Sequence, residues 1–241
     1  MYGVRPARKP HQVRSPYWDD DHDDAADATA VAADLAFMLS GQAIPFDHTL
    51  ALAHAVINLL PWLPLVPRAG LRLAFGAESG NGWQRDDSDG ALVYLSGRAR
   101  LVLRLPLERV EDARALAGSA LEVAGYPLAV GQPRLLPLFP SDTLYARHVV
   151  DETGDEVAFL DRMAHALDAL GATRRKIMCG KNRRITAPGG GLCTRSVMIA
   201  NLTPGDSLAL MAEGIGSGRL MGCGLFVPYK RSAALVRGFE E

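Results

Sequence analysis

The sequence is poor in the residues on which several kinds of chemistry depend. Cysteine occurs three times in 241 residues, at positions 179, 193 and 223, without a Cys-x-x-Cys pair and without paired histidines nearby. Thiols scattered in this way predict neither a zinc cluster nor a disulfide framework, so reduced structural cysteines in a cytoplasmic protein are expected. No run of 18 apolar residues suggests a membrane span. The first residues are rich in Arg, Pro and Asp and contain no apolar stretch of the kind a secretory signal needs. Neither Gly-x-x-x-x-Gly-Lys-Ser/Thr nor Gly-x-Gly-x-x-Gly between a strand and a helix is present, so the common nucleotide-binding loops are not indicated. Net charge is also small, at −1, which by itself speaks against a polyanionic partner.

That average conceals an uneven distribution. Trp18 to Asp24 holds five acids in seven residues. Arg174 to Arg195 holds seven basic residues (Arg174, Arg175, Lys176, Lys181, Arg183, Arg184 and Arg195) and no acid. A basic stretch without acids is the electrostatic footprint of a polyanion partner, though a solvated basic hairpin would read the same way. The other unusual stretch lies between Glu213 and Pro228. Gly214, Gly216, Gly218, Gly222 and Gly224 fall within eleven residues, with Arg219 among them and the apolar run Leu225–Val227 after them. Glycine loses more backbone freedom on folding than any other residue, so such a cluster implies tight turning or close approach to a ligand. Successive N–H groups of a glycine-rich loop can cradle a phosphate chain. A long hairpin connection with several positive φ angles is the alternative.

With 48% hydrophobic residues the chain has ample material for a core. Residues 1 to about 30 carry three prolines and the acidic run and are expected to be disordered. Beyond them, Ala32–Leu39 reads as a strand. Asp47 is placed to cap a helix over His48–Leu60, which Pro61 stops. Strands are predicted at Leu71–Phe75, Ala91–Leu95 and Ala99–Leu105. A helix opened by Pro106 is predicted over Leu107–Ala117, and a strand near Tyr126–Val130. This is the β-α-β-β-α-β order of a ferredoxin-like unit. The order then repeats: a strand at Leu144–Val150, a helix at Glu156–Leu170, a basic hairpin of Arg174–Met178 with Arg183–Thr186, a strand at Ser196–Ala200, a helix at Pro204–Ala212 capped by Thr203, and a strand at Leu225–Val227. The expected fold class is α+β, with two tandem ferredoxin-like (RRM-like) domains over residues 31–140 and 141–241 behind an acidic tail over 1–30.

Three stretches carry a family resemblance. The glycine-rich segment from Gly214 to Pro228 resembles the C-terminal signature of the CRISPR-associated repeat-processing endoribonucleases of the repeat-associated mysterious protein (RAMP) superfamily, in the form of the MYXAN-type subgroup. Phe37-Met38-Leu39-Ser40-Gly41 with Ile44-Pro45-Phe46-Asp47-His48 resembles that subgroup's first strand and helix entry, and Leu144-Tyr145-Ala146-Arg147 the start of its second domain. The resemblance spans about residues 32 to 228. It implies an enzyme that binds the hairpin of CRISPR repeat RNA and cuts it once at the 3′ base, without metal or other cofactor. Attack by a 2′-OH then leaves a 2′,3′-cyclic phosphate and a 5′-OH. It also implies retention of the crRNA product and association with other subunits of an effector complex. A non-catalytic subunit that holds the crRNA hairpin would share the same features. At one place the chain departs from the pattern: related sequences often carry a histidine after Pro-x-Leu behind the first helix, where this chain reads Pro61-Trp62-Leu63-Pro64.

Metal-free RNA cleavage needs a proton acceptor near neutrality and cations to meet the charge on the phosphorane. Of six histidines, His11 and His22 lie in the tail, His148 lies within an apolar strand and His165 on the third predicted helix. His54 and His48, on or at the first helix, remain as candidate bases, and His54 shares a face with Leu50 and Ile57. The expected RNA-binding set is Arg219 with Gly216, Gly218, Gly222 and Gly224 in the loop, and Arg174, Arg175, Lys176, Lys181, Arg183 and Arg184 in the basic segment. Phosphate contacts supply most of the affinity in such a surface. Lys230 and Arg231 would extend it.

Overall fold

The computed structural model describes residues 31–75 and 91–229. The acidic tail, Lys230 and Arg231 lie outside the described residues.

Strand β1 (Ala32–Ser40) turns Leu35, Phe37 and Leu39 into the core by simple alternation. The short β2 (Ala43–Pro45) leads into helix α1 (Thr49–Leu59), which buries Leu52, Ala53 and Val56. β3 (Gly70–Phe75), β4 (Leu92–Tyr94), β5 (Ala99–Pro106), the single turn α2 (Val110–Ala113), β6 (Ala120–Val123) and β7 (Tyr126–Pro137) follow. The main sheet has the order β3-β5-β1-β7-β6, a ferredoxin-like sheet with one added edge strand. The second unit comprises β8 (Thr143–Val150), α3 (Glu156–Ala169), β9 (Lys176–Cys179), β10 (Arg183–Ala187), β11 (Gly190–Ala200), α4 (Pro204–Glu213) and β12 (Val227–Pro228). Its order, β10-β11-β8-β12 with β9 also on β11, is the same topology. Each unit has its own apolar core, the second built on Phe159, Met163, Leu167, Val197, Ile199 and Phe226. A fully buried Leu, Met or Phe contributes about 1.5–3 kcal/mol, so each core can hold its sheet and helices together. Among the described residues no helix is long and apolar enough to cross a membrane.

Several local expectations are corrected. Asp47 does not cap α1: the cap position is His48, without a side-chain cap bond, and the Asp47 carboxylate accepts from the Thr186 N–H instead. The predicted helix over Leu107–Ala117 is one α-turn between two 3-10 turns. Ala91–Leu95 shrinks to β4, which pairs with β2 rather than joining the main sheet. β6 was not foreseen; it forms a hairpin with β7 through Ala124 and Gly125, both at positive φ, as a type I′ turn requires. The last strand begins at Val227, because Leu225 and Phe226 are still turning into the core. The basic segment is not a hairpin. β9 and β10 do not pair with each other; both pair with β11, as one edge strand interrupted at Gly180–Asn182. The break is held by a buried ion pair. Arg195 donates to Asp151 at 2.8 Å and to the Gly180 carbonyl at 3.3 Å, and Asn182 donates to the same carboxylate. Arg195 therefore belongs to the interior, not to the basic surface.

The two units are joined by arginines that serve backbone carbonyls. Arg104 of β5 binds Asp34 of β1 through two bonds of 2.7 and 3.0 Å, and its remaining nitrogen donates to Met211 O and Phe226 O of the second unit. Arg219 donates to Ala212 O and Glu213 O, and across the seam to Arg68 O and Ala69 O. The last carbonyls of α4 are thus capped by cations from both units, where unpaired C=O groups and the negative end of the helix dipole favour positive charge.

Candidate functional site

The glycine-rich segment of the second unit folds against α1 of the first. Gly214, Gly216, Gly218, Gly222 and Gly224 all have positive φ, between +66° and +82°. Two of them admit no side chain on steric grounds as well: a Cβ on Gly214 would overlap the Arg219 guanidinium, and one on Gly224 would overlap the Ile215 carbonyl. The loop turns through a 3-10 turn at Arg219–Met221, closed by Met221 N–H and Cys223 N–H donating to Gly218 O. Gly224 N–H donates to His148 O and ties the loop to β8. So folded, Gly216, Ser217 and Gly218 face α1 of the first unit across a cleft of about 410 Å³.

His54 stands on the opposite wall of that cleft, exposed on α1, with Leu50 and Ile57 beside it. The face on which the sequence grouped these three is therefore a cleft wall. Pro64 and Ala69 close one side, and Pro188, in the turn after β10, closes another. From Pro188 the strand β10 leads away with Arg184 and Arg183 exposed, followed by Lys181 in the break and Lys176 on β9. The site thus has an imidazole at one wall, a glycine-lined backbone at the other and a basic strand leaving its rim.

The remaining candidates are placed differently. Arg219 lines the cleft, but its guanidinium is turned into the seam and held by the carbonyls named above; burial, with the Arg104 charge added, pushes its pKa down to about 10. Gly222 and Gly224 shape the loop rather than border its opening. Arg175 is engaged with Asp168 at 2.6 Å and with the carbonyls of Ala164 and Ala172, behind α3. Arg174 is exposed. His165 sits on the outer face of α3 with Nδ1 against Asp161 O.

His48 lies at the seam. Its Nδ1–H donates to Pro45 O and Phe46 O at 2.9 and 3.0 Å, and its ring meets Phe75 edge-on at 6.0 Å. Burial lowers its pKa against those two bonds, which favour the charged form. His148 reaches the same seam from β8, with Nδ1 at 3.0 Å from Thr194 Oγ1. Nothing in the sequence marked it beyond an apolar setting. Its pKa is pushed down to about 4, chiefly by burial, then by the charges of Arg147 and Arg183 and by the His48 ring.

These two rings fix a pH dependence. His148 is held neutral when folded, with a folded pKa below the unfolded 6.5. The associated stability is complete above pH 6.5 and is lost as pH falls from there toward 4. His48 adds in the same direction. Urea midpoints are expected to fall between pH 7 and pH 5, as the unfolding free energy drops by at most about 1.4 kcal/mol per pH unit for each ring. His148→Asn should flatten the slope. A midpoint that does not move over this window would refute the assignment. Asp151, which burial would raise but which bonds from Thr153, Arg195 and Gly154 hold at about 2, titrates below this window.

Comparison with known proteins bears on the family and the fold. The family model described as Cas6 Crispr matches residues 33–231. The chain is 33% identical over 204 residues to the CRISPR-associated endonuclease Cas6 of Myxococcus xanthus (strain DK1622), covering 84% of each protein. Among solved structures, a CRISPR associated protein Cas6 superposes with a TM-score of 0.55 at 13% identity, over 83% of this chain and all of the other. The product of a Cas6-related gene from Pyrococcus furiosus gives 0.57 at 12% identity, again over 83% of this chain and all of that one. A RAMP protein described as binding different RNA substrates gives 0.56 at 11%, over 82% of this chain and all of the other. The structural likenesses speak for the fold; the family model and the Myxococcus relative, which cover most of the chain, show that it belongs to the Cas6 family.

Proposed function

We propose that this protein is an endoribonuclease that binds the hairpin of CRISPR repeat RNA and cuts it without a metal ion. The observation that carries this reading is the cleft in which His54 faces Gly216–Gly218 while the basic strand β10 leaves its rim. Phosphates of the stem lie along Arg183, Arg184, Lys181 and Lys176, and the scissile phosphate enters the cleft. The backbone of Gly216 and Gly218, free of side chains, lets the sugar-phosphate chain approach closely. His54 takes the proton of the 2′-OH. The 2′-oxygen bonds to phosphorus, the bond from phosphorus to the 5′-oxygen breaks, and that oxygen receives a proton from water, while His54 gives its own back to solvent. A 2′,3′-cyclic phosphate and a 5′-OH result. Arg219 supplies positive charge from behind the glycine loop.

The Myxococcus relative, called an endonuclease, supports the catalytic reading. Pro64, standing where related sequences carry a histidine, favours the other one, a subunit that binds the crRNA hairpin without cutting it. Purified protein incubated with repeat RNA in EDTA decides between them. Expected is one cut at the 3′ base of the hairpin with a cyclic phosphate end. Tight binding of RNA that stays whole would establish the binding subunit, and absence of salt-sensitive affinity would refute both.

A further inference from the structure

Phe46, Asp47 and His48 form a short bridge between the units, at the entry to the helix that carries His54. Arg147 of β8 stands over the Phe46 ring at 5.6 Å. Asp47, exposed on the first unit, accepts a hydrogen bond of 2.7 Å from the main-chain N–H of Thr186 on β10. His48, by donating to Pro45 O and Phe46 O, fixes the bend from which the Asp47 carboxylate projects. Thr186 lies two residues before Pro188 at the cleft and two after Arg184. At about 3.3 Å of rise per strand residue, Arg184 is roughly 13 Å from Pro188 along the strand.

A carboxylate is the stronger class of acceptor for a backbone N–H, because the charge shortens and strengthens the bond. The bond joins the helix with the proposed base to the strand with the proposed phosphate contacts at a point between the two. It is local: it caps no helix and lies outside both cores. We infer that Asp47 is a positioning residue: by holding the main chain of Thr186 it sets the spacing between His54 and the basic strand, and so selects which phosphodiester of the bound hairpin is cut. This rests on the cleavage reading above. A ruler of this kind is rigid only while both ends are fixed, and a misplacement of about 1 Å at a reacting group can cost on the order of a hundredfold in rate.

The test uses the full chain and an end-labelled repeat hairpin, with single-turnover rates, product lengths at nucleotide resolution, hairpin affinity and thermal midpoints. Asp47→Ala is expected to cut roughly ten- to a hundredfold more slowly and at neighbouring positions as well. Its hairpin affinity and midpoint should stay near wild type. Asp47→Asn, whose side-chain oxygen can still accept from Thr186 N–H, is expected to restore the single cut and most of the rate. If Asp47→Ala cuts at one position at the wild-type rate, the inference fails while the cleavage reading stands. If Asp47→Asn is as defective as Asp47→Ala, charge rather than the tether is responsible and the inference also fails. If the wild-type protein binds the hairpin without cutting, both readings fall together.

Discussion

Replacing His54 by alanine is expected to slow cleavage of the repeat hairpin by roughly 10²- to 10⁴-fold, the usual contribution of a positioned general base. Binding of the hairpin should be little changed, because the proposed phosphate contacts on β9 and β10 lie outside the cleft that His54 lines. The fold should be unaffected too: His54 is exposed and contributes nothing to the buried face of α1, which is made by Leu52, Ala53 and Val56. The loss is therefore expected in the chemical step alone, and added imidazole should recover part of it. His48→Ala is the informative contrast. His48 is half-buried at the seam and spends its Nδ1–H on two carbonyls, so its removal should lower the thermal midpoint and disturb the Asp47 bond. If instead His48→Ala abolishes cleavage in a fully stable protein while His54→Ala cuts normally, the base is His48 and the assignment made here is wrong.

The largest effect on stability is expected from Arg104→Met. Arg104 is 2% exposed and binds Asp34, itself 6% exposed, through two bonds, so the substitution leaves a buried carboxylate with only Arg72 beside it. Breaking a buried pair by removing one partner costs about 3–5 kcal/mol, mostly from the uncompensated charge. Here Met211 O and Phe226 O lose their donor as well. Urea unfolding of the variant should show a loss at the upper end of that range. The double variant Asp34→Leu/Arg104→Met should recover part of it, by removing the stranded charge, but not all, because the carbonyls at the seam stay unserved. A loss below about 1 kcal/mol, the scale of an exposed pair, would show that the pair is not the clamp described above.

Much of the architecture was readable from residue patterns, and the reasons differ by element. The apolar residues of Ala32–Leu39 and Ala99–Leu105, and the cap Thr203 before α4, are local signals, and each element formed where expected. Asp47 followed by a helix is an equally good local signal, yet a partner 139 residues away took its carboxylate. The basic segment shows the same limit: periodicity marks two strands but not that both pair with a third. The candidate site was legible in its parts. His54, the glycines and the basic strand were each marked by composition or spacing. Their meeting was not, because it depends on how two units pack, and that packing is written in single buried arginines. Arg104 in an apolar strand and Arg219 among glycines look like surface or ligand-binding cations until the carbonyls they serve are known. His148 had no sequence signal, since its pKa comes from burial beside Arg147 and Arg183.

The arginine caps on α4 also constrain when the site comes into being. Met211, Ala212 and Glu213 are served by cations on β5 and in the glycine loop, so this helix end is finished only after the first unit has folded and the chain through Phe226 has been made. His54 is synthesised early, but the wall it faces is laid down some 160 residues later. A nascent chain therefore carries its histidine and much of its basic strand while the cleft is still absent. During synthesis it can touch RNA, but the cleft that would cut it closes only when Arg104 and Arg219 have both found their carbonyls.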